Sequence, residues 1–237
     1  MSDPAAWPRK VVPRRDWLAA HKAFLAEEKT FTRARDALSA ARRALPWEKV
    51  ETHYVFDGPD GEESLSDLFA GRSQLIAYHF MFAPGGEPCK HCSFWADNFA
   101  PAIININHRD ASMVAISRAP LAEIEPYRKR MGWGFKWLSS GANSFNYDFG
   151  ASFRPDQLRE KVFNFDTQAP GVEDREGISV FARDAAGQVY RTYATHGRGI
   201  DLMNTAYNYI DLLPKGRDEA ERGNQYWVRR HDEYNDV

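Results

Sequence analysis

The chain holds 237 residues, enough for one large domain or a domain with an arm at roughly 150 residues per domain. Apolar residues at 43% and charged residues at 27% are ordinary globular usage, which excludes a disordered or collagen-like chain. The 31 Lys and Arg nearly balance the 33 Asp and Glu, so no nucleic-acid footprint and no polybasic membrane anchor is expected.

Residues 1–10 are polar and contain proline, with no apolar run like a secretory leader. Residues 14–45 predict one long helix. Trp17, Phe24, Phe31, Leu38 and Leu45 recur every seven residues, and Ala20, Ala34 and Ala41 form a second row three positions on. Two readings fit that row: a helix packed along its own domain, or an arm that also packs on a second subunit. Glu27 within the alanine row argues against a clean long coiled coil. Pro46 is expected to end the helix.

Residues 53–57 predict a strand, 58–61 a turn and 64–69 a short helix. The nearly continuous apolar run 74–82 predicts a central strand covered on both faces. Its apolar stretch is interrupted by Tyr78 and His79 and is far shorter than the ~20 residues a membrane span needs. A Gly/Pro loop then leads into Cys89 and a helical pattern to about Asn107. Residues 112–117 predict a second buried strand, 120–131 a helix with Pro120 in its first turn, and 135–138 a short strand. Residues 139–176 are rich in Gly, Asn and Phe and read as an ordered insertion. Residues 178–183 and 189–194 predict an antiparallel hairpin, 200–212 a last helix, and the rest a charged tail.

The chain has two cysteines, Cys89 and Cys92, in the run Cys-Lys-His-Cys. A disulfide-dense secreted scaffold is therefore excluded, and the cytoplasm is the expected compartment. The pair follows a buried strand and opens a helix. A helix N-terminus stabilises a negative sulfur through its dipole and unpaired N–H groups, and only the thiolate attacks. Cys89, Cys92 and His91 are the candidate catalytic residues, with Lys90 adding positive charge. Two other readings stay open: a zinc site that draws on His79, His91, His108 or His196, and a pair of inert cysteines. Covalent haem attachment is excluded because Ser93, not His, follows Cys92.

The order of strand, Cys-x-x-Cys helix, strand, helix, hairpin and helix over residues 47–212 resembles an enlarged thioredoxin fold. Segments along nearly the whole chain carry a more specific likeness: 37–47 (ALSAARRALPW), 54–58 (YVFDG), 78–82 (YHFMF), 92–98 (CSFWADN), 117–121 (SRAPL), 145–150 (FNYDFG), 198–201 (RGID), 214–218 (PKGRD) and 227–234 (WVRRHDEY). Through them the chain resembles an uncharacterised bacterial family of thioredoxin-like proteins, domain of unknown function 899. The resemblance implies an α/β fold, a thioredoxin-like three-layer α/β/α sandwich with a mixed sheet, an N-terminal helical arm and an insertion before the last hairpin. Residues 1–46 would be the arm, 47–213 the thioredoxin-like domain and 214–237 the charged tail.

Three positions depart from related enzymes. Working thioredoxins place a cis-proline before the hairpin, facing the dithiol. That place falls near Glu176, an acid that would oppose activation of Cys89. Pro88 stands where a tryptophan usually precedes the first cysteine. Gly86 stands where peroxiredoxins carry a threonine.

Around the pair, His79 is a candidate proton relay or a core histidine, and Trp95 a stacking partner or a core residue. Arg118 and Arg198 are candidate substrate contacts or structural arginines. Tyr226, Trp227, Arg229 and Arg230 mark a docking segment in this subunit or its neighbour. The expected activity is thiol–disulfide oxidoreduction on a protein or small-molecule disulfide, without cofactor, metal, nucleic acid or membrane, in a homodimer. The alternative is a non-catalytic binding protein on the same fold.

Overall fold

The computed structural model describes residues 10–234, so the start of the expected arm and the last three residues of the tail lie outside it. The chain divides into two compact units, Met1–Leu45 and Pro46–Val237.

The first unit is one helix, α1 (Arg14–Arg43), with Asp16 in its first turn and Arg42 and Arg43 in its last, both favourable to the helix dipole. None of its residues is buried. Trp17, Phe24, Phe31 and Leu38 are each about half exposed.

The second unit is built on eight strands: β1 (Glu48–Lys49), β2 (Val55–Gly58), β3 (Gly61–Ser64), β4 (Gln74–His79), β5 (Ala111–Ser117), β6 (Trp137–Ser139), β7 (Gly177–Arg183) and β8 (Val189–His196). Their order is β1-β8-β7-β4-β5-β6-β2-β3. Only β5 pairs in parallel, with β4 and with β6; the remaining pairs are antiparallel. The helices are α2 (Lys90–Phe99), α3 (Ile103–Asn107), α4 (Leu121–Arg130), α5 (Phe145–Asp148) and α6 (Thr205–Ile210). The central strands β8-β7-β4-β5, connected as β4-α2-β5-α4-β7-β8-α6, form a thioredoxin-like α/β fold.

Alternation along the strands divides the core in two. Tyr78, Ala115 and Ile178 face α2, α4 and α6, joined by Trp95, Phe99, Tyr127, Trp137 and Tyr207. Leu75, Ala77, Val114, Ile116 and Phe181 face the other side, against Phe56, Phe69, Phe145 and Phe149. That second face is covered by α5 of the insertion and a 3-10 turn, Asp67–Phe69. Phe145, Phe149, Phe153 and Phe163 of the insertion are therefore buried, whereas Tyr147 is half-buried and Phe165 stays exposed.

Several boundaries differ from expectation, three of them with a clear physical cause. The central strand ends at His79, where β7 begins opposite it at Gly177; beyond that point the chain keeps hydrogen bonds on the β5 side, with the Phe80 N–H donating to the Ile116 carbonyl at 2.9 Å. The segment expected as a short helix at 64–69 keeps only its 3-10 turn, after β3 has taken Ser64. The last helix is broken into a 3-10 run, Gly197–Met203, and α6. Asn204 is extended there, and its Oδ1 accepts the Tyr207 N–H at 3.0 Å, starting a new helix.

Candidate active site

Cys89 is the N-cap residue of α2, with an extended backbone and a sulfur that accepts the Cys92 N–H at 3.5 Å. This cap fixes the first sulfur at the positive end of the helix. Its backbone is tied on both sides. The Cys89 N–H donates to the Met81 carbonyl at 3.1 Å, and Ser93 returns its N–H at 3.0 Å and its hydroxyl at 2.9 Å to the Cys89 carbonyl. Cys92 lies one turn deeper, fully buried, and its sulfur accepts the Met81 N–H at 3.4 Å. Both thiols are free.

The two sulfurs are opposite in character. The hydrogen bond from the Cys92 side chain, with help from His91 and the Cys92 N–H, outweighs burial and holds the Cys89 thiol well below its ordinary range. Burial, then the Cys89 charge and Glu176, push the Cys92 thiol up. The Tyr78 hydroxyl, buried against the same pair, is also pushed up by burial, Cys92 and Glu176.

The pair opens onto a cavity of about 570 Å³. His91, Trp95 and Glu176 line it together with both cysteines, as do Tyr78 and Met81. Glu176 precedes β7, where the resemblance to thioredoxins placed the missing proline, and no peptide bond among the described residues is cis. Burial pushes its carboxyl up. Trp95 is a buried core residue that also lines the cavity, and its indole N–H donates to the Ile200 carbonyl at 3.2 Å.

His79 does not stand behind the dithiol. It points to the opposite face of the sheet, where its ring stacks on Phe145 and contacts Ser179 Oγ at 2.9 Å and Asn146 Oδ1 at 3.3 Å. Burial holds it neutral, with its pKa lowered to about 3. It is a satisfied core histidine rather than a relay. Lys90 is the first residue of α2 and is absent from the cavity wall. Arg118 is a structural arginine, paired with Asp174 at 2.7 Å and Glu173 at 3.3 Å, whereas Arg198 sits on the cavity rim beside Asp201. No three His, Cys, Asp or Glu residues converge as a metal site among the described residues.

Several wall residues escaped the sequence reading: Arg175, Asn164 and Gln168 from the insertion, and Asn224 and Gln225 from the tail. One signal was available. Gly177 opens the first strand of the hairpin, and a Cβ there would overlap the ring of His196, which also lines the cavity. The tail docks on its own subunit. Trp227 packs on Phe94 with centroids 5.3 Å apart, Val228 is fully buried, and Arg230 reaches the Tyr127 hydroxyl at 3.1 Å.

A thioredoxin-fold protein with a Cys-x-x-Cys pair at a helix start is the class these features define. The chain belongs to the family described as Bacterial protein of unknown function (DUF899), whose family model matches residues 7–234. No curated protein matches it. Among solved structures it is similar to peroxidoxin BcpB from Mycobacterium tuberculosis, at 14% identity and a TM-score of 0.46, over 69% of this chain and 96% of that one. A PrxQ mutant from Xylella fastidiosa gives 12% identity and 0.43 over 69% and 95%. Peroxiredoxin Q from Xanthomonas campestris gives 16% and 0.42 over 72% and 94%. The strand order described above, rather than these likenesses, carries the fold.

Proposed function

We propose that the protein is a thiol–disulfide oxidoreductase acting through Cys89 and Cys92. The observation that supports this most is the pair's asymmetry: a thiolate-favouring sulfur at the helix start, open to a cavity, with a buried thiol one turn below. The Cys89 thiolate attacks one sulfur of a substrate disulfide, forms a mixed disulfide and releases the other half as a thiolate, which takes up a proton. Cys92 then loses its proton and displaces the second half from Cys89, leaving a Cys89–Cys92 disulfide. Two electrons from an external dithiol restore the reduced pair. His91 stabilises the Cys89 charge, and Lys90 adds to the local positive field.

The test is the reduction potential of the pair, with a disulfide-reduction assay on wild type and Cys89→Ser. Turnover that vanishes in Cys89→Ser supports the reading. A second reading draws on Glu176, an acid in the place of the substrate-facing proline. In it the pair is silent and the protein is a binding module; a dithiol that no oxidant closes would favour that account.

The working compartment in this proposal is the cytosol, whose reducing poise suits a dithiol in exchange. No helix among the described residues is long and apolar enough to cross a membrane. The uncovered row of α1 supports pairing with a second copy. Residues 1–46 then act as an arm, 47–213 as the redox domain and 214–237 as a tail.

A further inference from the structure

Arg175 is a charged cavity group that the exchange chemistry leaves without a task. It is held by its backbone N–H, which donates to the Ala151 carbonyl at 2.8 Å, and by Phe163, whose ring centroid lies 5.0 Å from its guanidinium carbon. Its Nε is enclosed and has no hydrogen-bond partner, and it forms no ion pair among the described residues. His196 Nδ1 is likewise enclosed and unpartnered, and both residues line the cavity that holds Cys89. A buried Nε–H without an acceptor is unfavourable unless a ligand supplies one, and a planar guanidinium matches a carboxylate in two parallel hydrogen bonds. Glu176, its neighbour in sequence, lines the same cavity but does not pair with it.

The walls decide the size of the guest. Residues 163–168 of the insertion, the turn at 197–201 and Asn224 with Gln225 of the tail enclose the dithiol from three separate parts of the chain. A volume of about 570 Å³ suits a small molecule rather than a loop of a folded protein.

We infer that the substrate is a small disulfide bearing a carboxylate, seated with the carboxylate on Arg175 and a sulfur on Cys89. This inference rests on the exchange reading above. It adds no redox partner: the carboxylate-bearing disulfide takes two electrons from the dithiol and leaves as two thiols, and an external dithiol resupplies the pair.

The experiment follows oxidation of the pre-reduced Cys89–Cys92 pair, by the mass loss of two hydrogens, with two probes. One is dithiodipropionate, which carries carboxylates; the other is hydroxyethyl disulfide, which is neutral. Each rate is divided by that probe's rate with dithiothreitol, and diamide serves as a general oxidant. Wild type should prefer the carboxylate probe by about tenfold, the worth of one charge-assisted contact. Arg175→Gln should abolish the preference, read as the ratio of the two normalised rates within the variant itself, and Arg175→Lys should keep part of it. Equal normalised rates in wild type, or a preference that survives Arg175→Gln, would overturn the inference while leaving the exchange reading intact. A pair that even diamide cannot close would overturn both.

Discussion

Arg230 donates its Nη2 to the carbonyl of Pro88, the residue immediately before Cys89, at 3.0 Å across 142 positions of sequence. The same guanidinium donates to the Tyr127 hydroxyl at 3.1 Å and pairs with Glu233 at 2.9 Å. The tail thereby fixes the loop that delivers the first sulfur to its helix. Tyr127 is held in turn against Ser93, with 2.7 Å between their hydroxyl oxygens, so the contact reaches the helix of the dithiol itself. Arg230→Ala should cost about 1–3 kcal/mol, because the Pro88 carbonyl and the Tyr127 hydroxyl each lose a charged donor. Urea unfolding reads that loss. The pH midpoint of Cys89 alkylation should also move up towards that of a free thiol, and an unmoved midpoint would confine Arg230 to stability.

Cys89 should alkylate faster than Cys92 near neutral pH. The hydrogen bonds from Cys92 and His91 favour its thiolate, while burial disfavours that of Cys92. Its labelling rate should stay high well below the ~8.5 at which a free thiol titrates. Iodoacetamide labelling with peptide mass analysis from pH 5 to 9 measures both. Equal labelling of the two sulfurs would remove the asymmetry on which the exchange mechanism depends.

Glu176 places a carboxylate against Cys92 and Tyr78, and each is pushed up by it as well as by burial. Glu176→Gln should lower the Cys92 pKa and hasten the second, resolving step severalfold, because a like charge is removed. Rapid-quench trapping of the mixed disulfide reads that step directly. Glu176→Pro tests the same place differently, since proline makes a cis bond far less costly than other residues do. Disulfide-reducing activity found only in that variant would mean that the native chain has left disulfide exchange.

The exposed row on α1 should matter to assembly rather than to the fold of the second unit. Phe24 is 55% exposed and Phe31 62%. A charge buried in an apolar seam is costly unless it is paired. Phe24→Glu should therefore lower the oligomeric state in sedimentation velocity while circular dichroism stays that of a folded protein. If wild type and variant sediment alike, α1 does not join copies of this chain.

Acid should weaken the fold partly through His79. Burial, then His196, lowers its pKa from 6.5 to about 3, and burial lowers that of His196 to about 4. The unfolded chain gains a proton as pH falls through about 6.5, whereas the folded chain holds His79 neutral down to about 3. Stability is therefore lost on acidification across that window. His79→Gln keeps polar atoms near Ser179 and Asn146 but cannot titrate. Between pH 7 and 5.5 the wild type should lose about 1 kcal/mol more than the variant, since a one-unit gap is worth about 1.4 kcal/mol. Urea midpoints at the two pH values supply the comparison.

The sequence by itself determined the elements whose signals are local. Seven-residue spacing wrote α1, a continuous apolar run wrote β4, and the turn at 184–187 wrote the hairpin of β7 and β8. It also placed Cys89 at a helix start, because a Gly/Pro loop before a helical pattern leaves little else for that residue to be. Tertiary structure decided what depends on which distant groups meet. His79 looked like a relay from its position near the end of β4, but the two-residue alternation of a strand turns it to the face opposite Tyr78 and the dithiol. Asn204 broke the last helix because its side chain could cap a new one, a choice that periodicity does not record. The cavity wall is the clearest case. Arg175, residues 163–168 and Asn224 carry no motif, and they come together as a cavity wall only because the insertion and the tail are packed beside Cys89. Local patterns follow from backbone geometry and burial along one segment, whereas a binding site depends on the convergence of segments far apart in the chain.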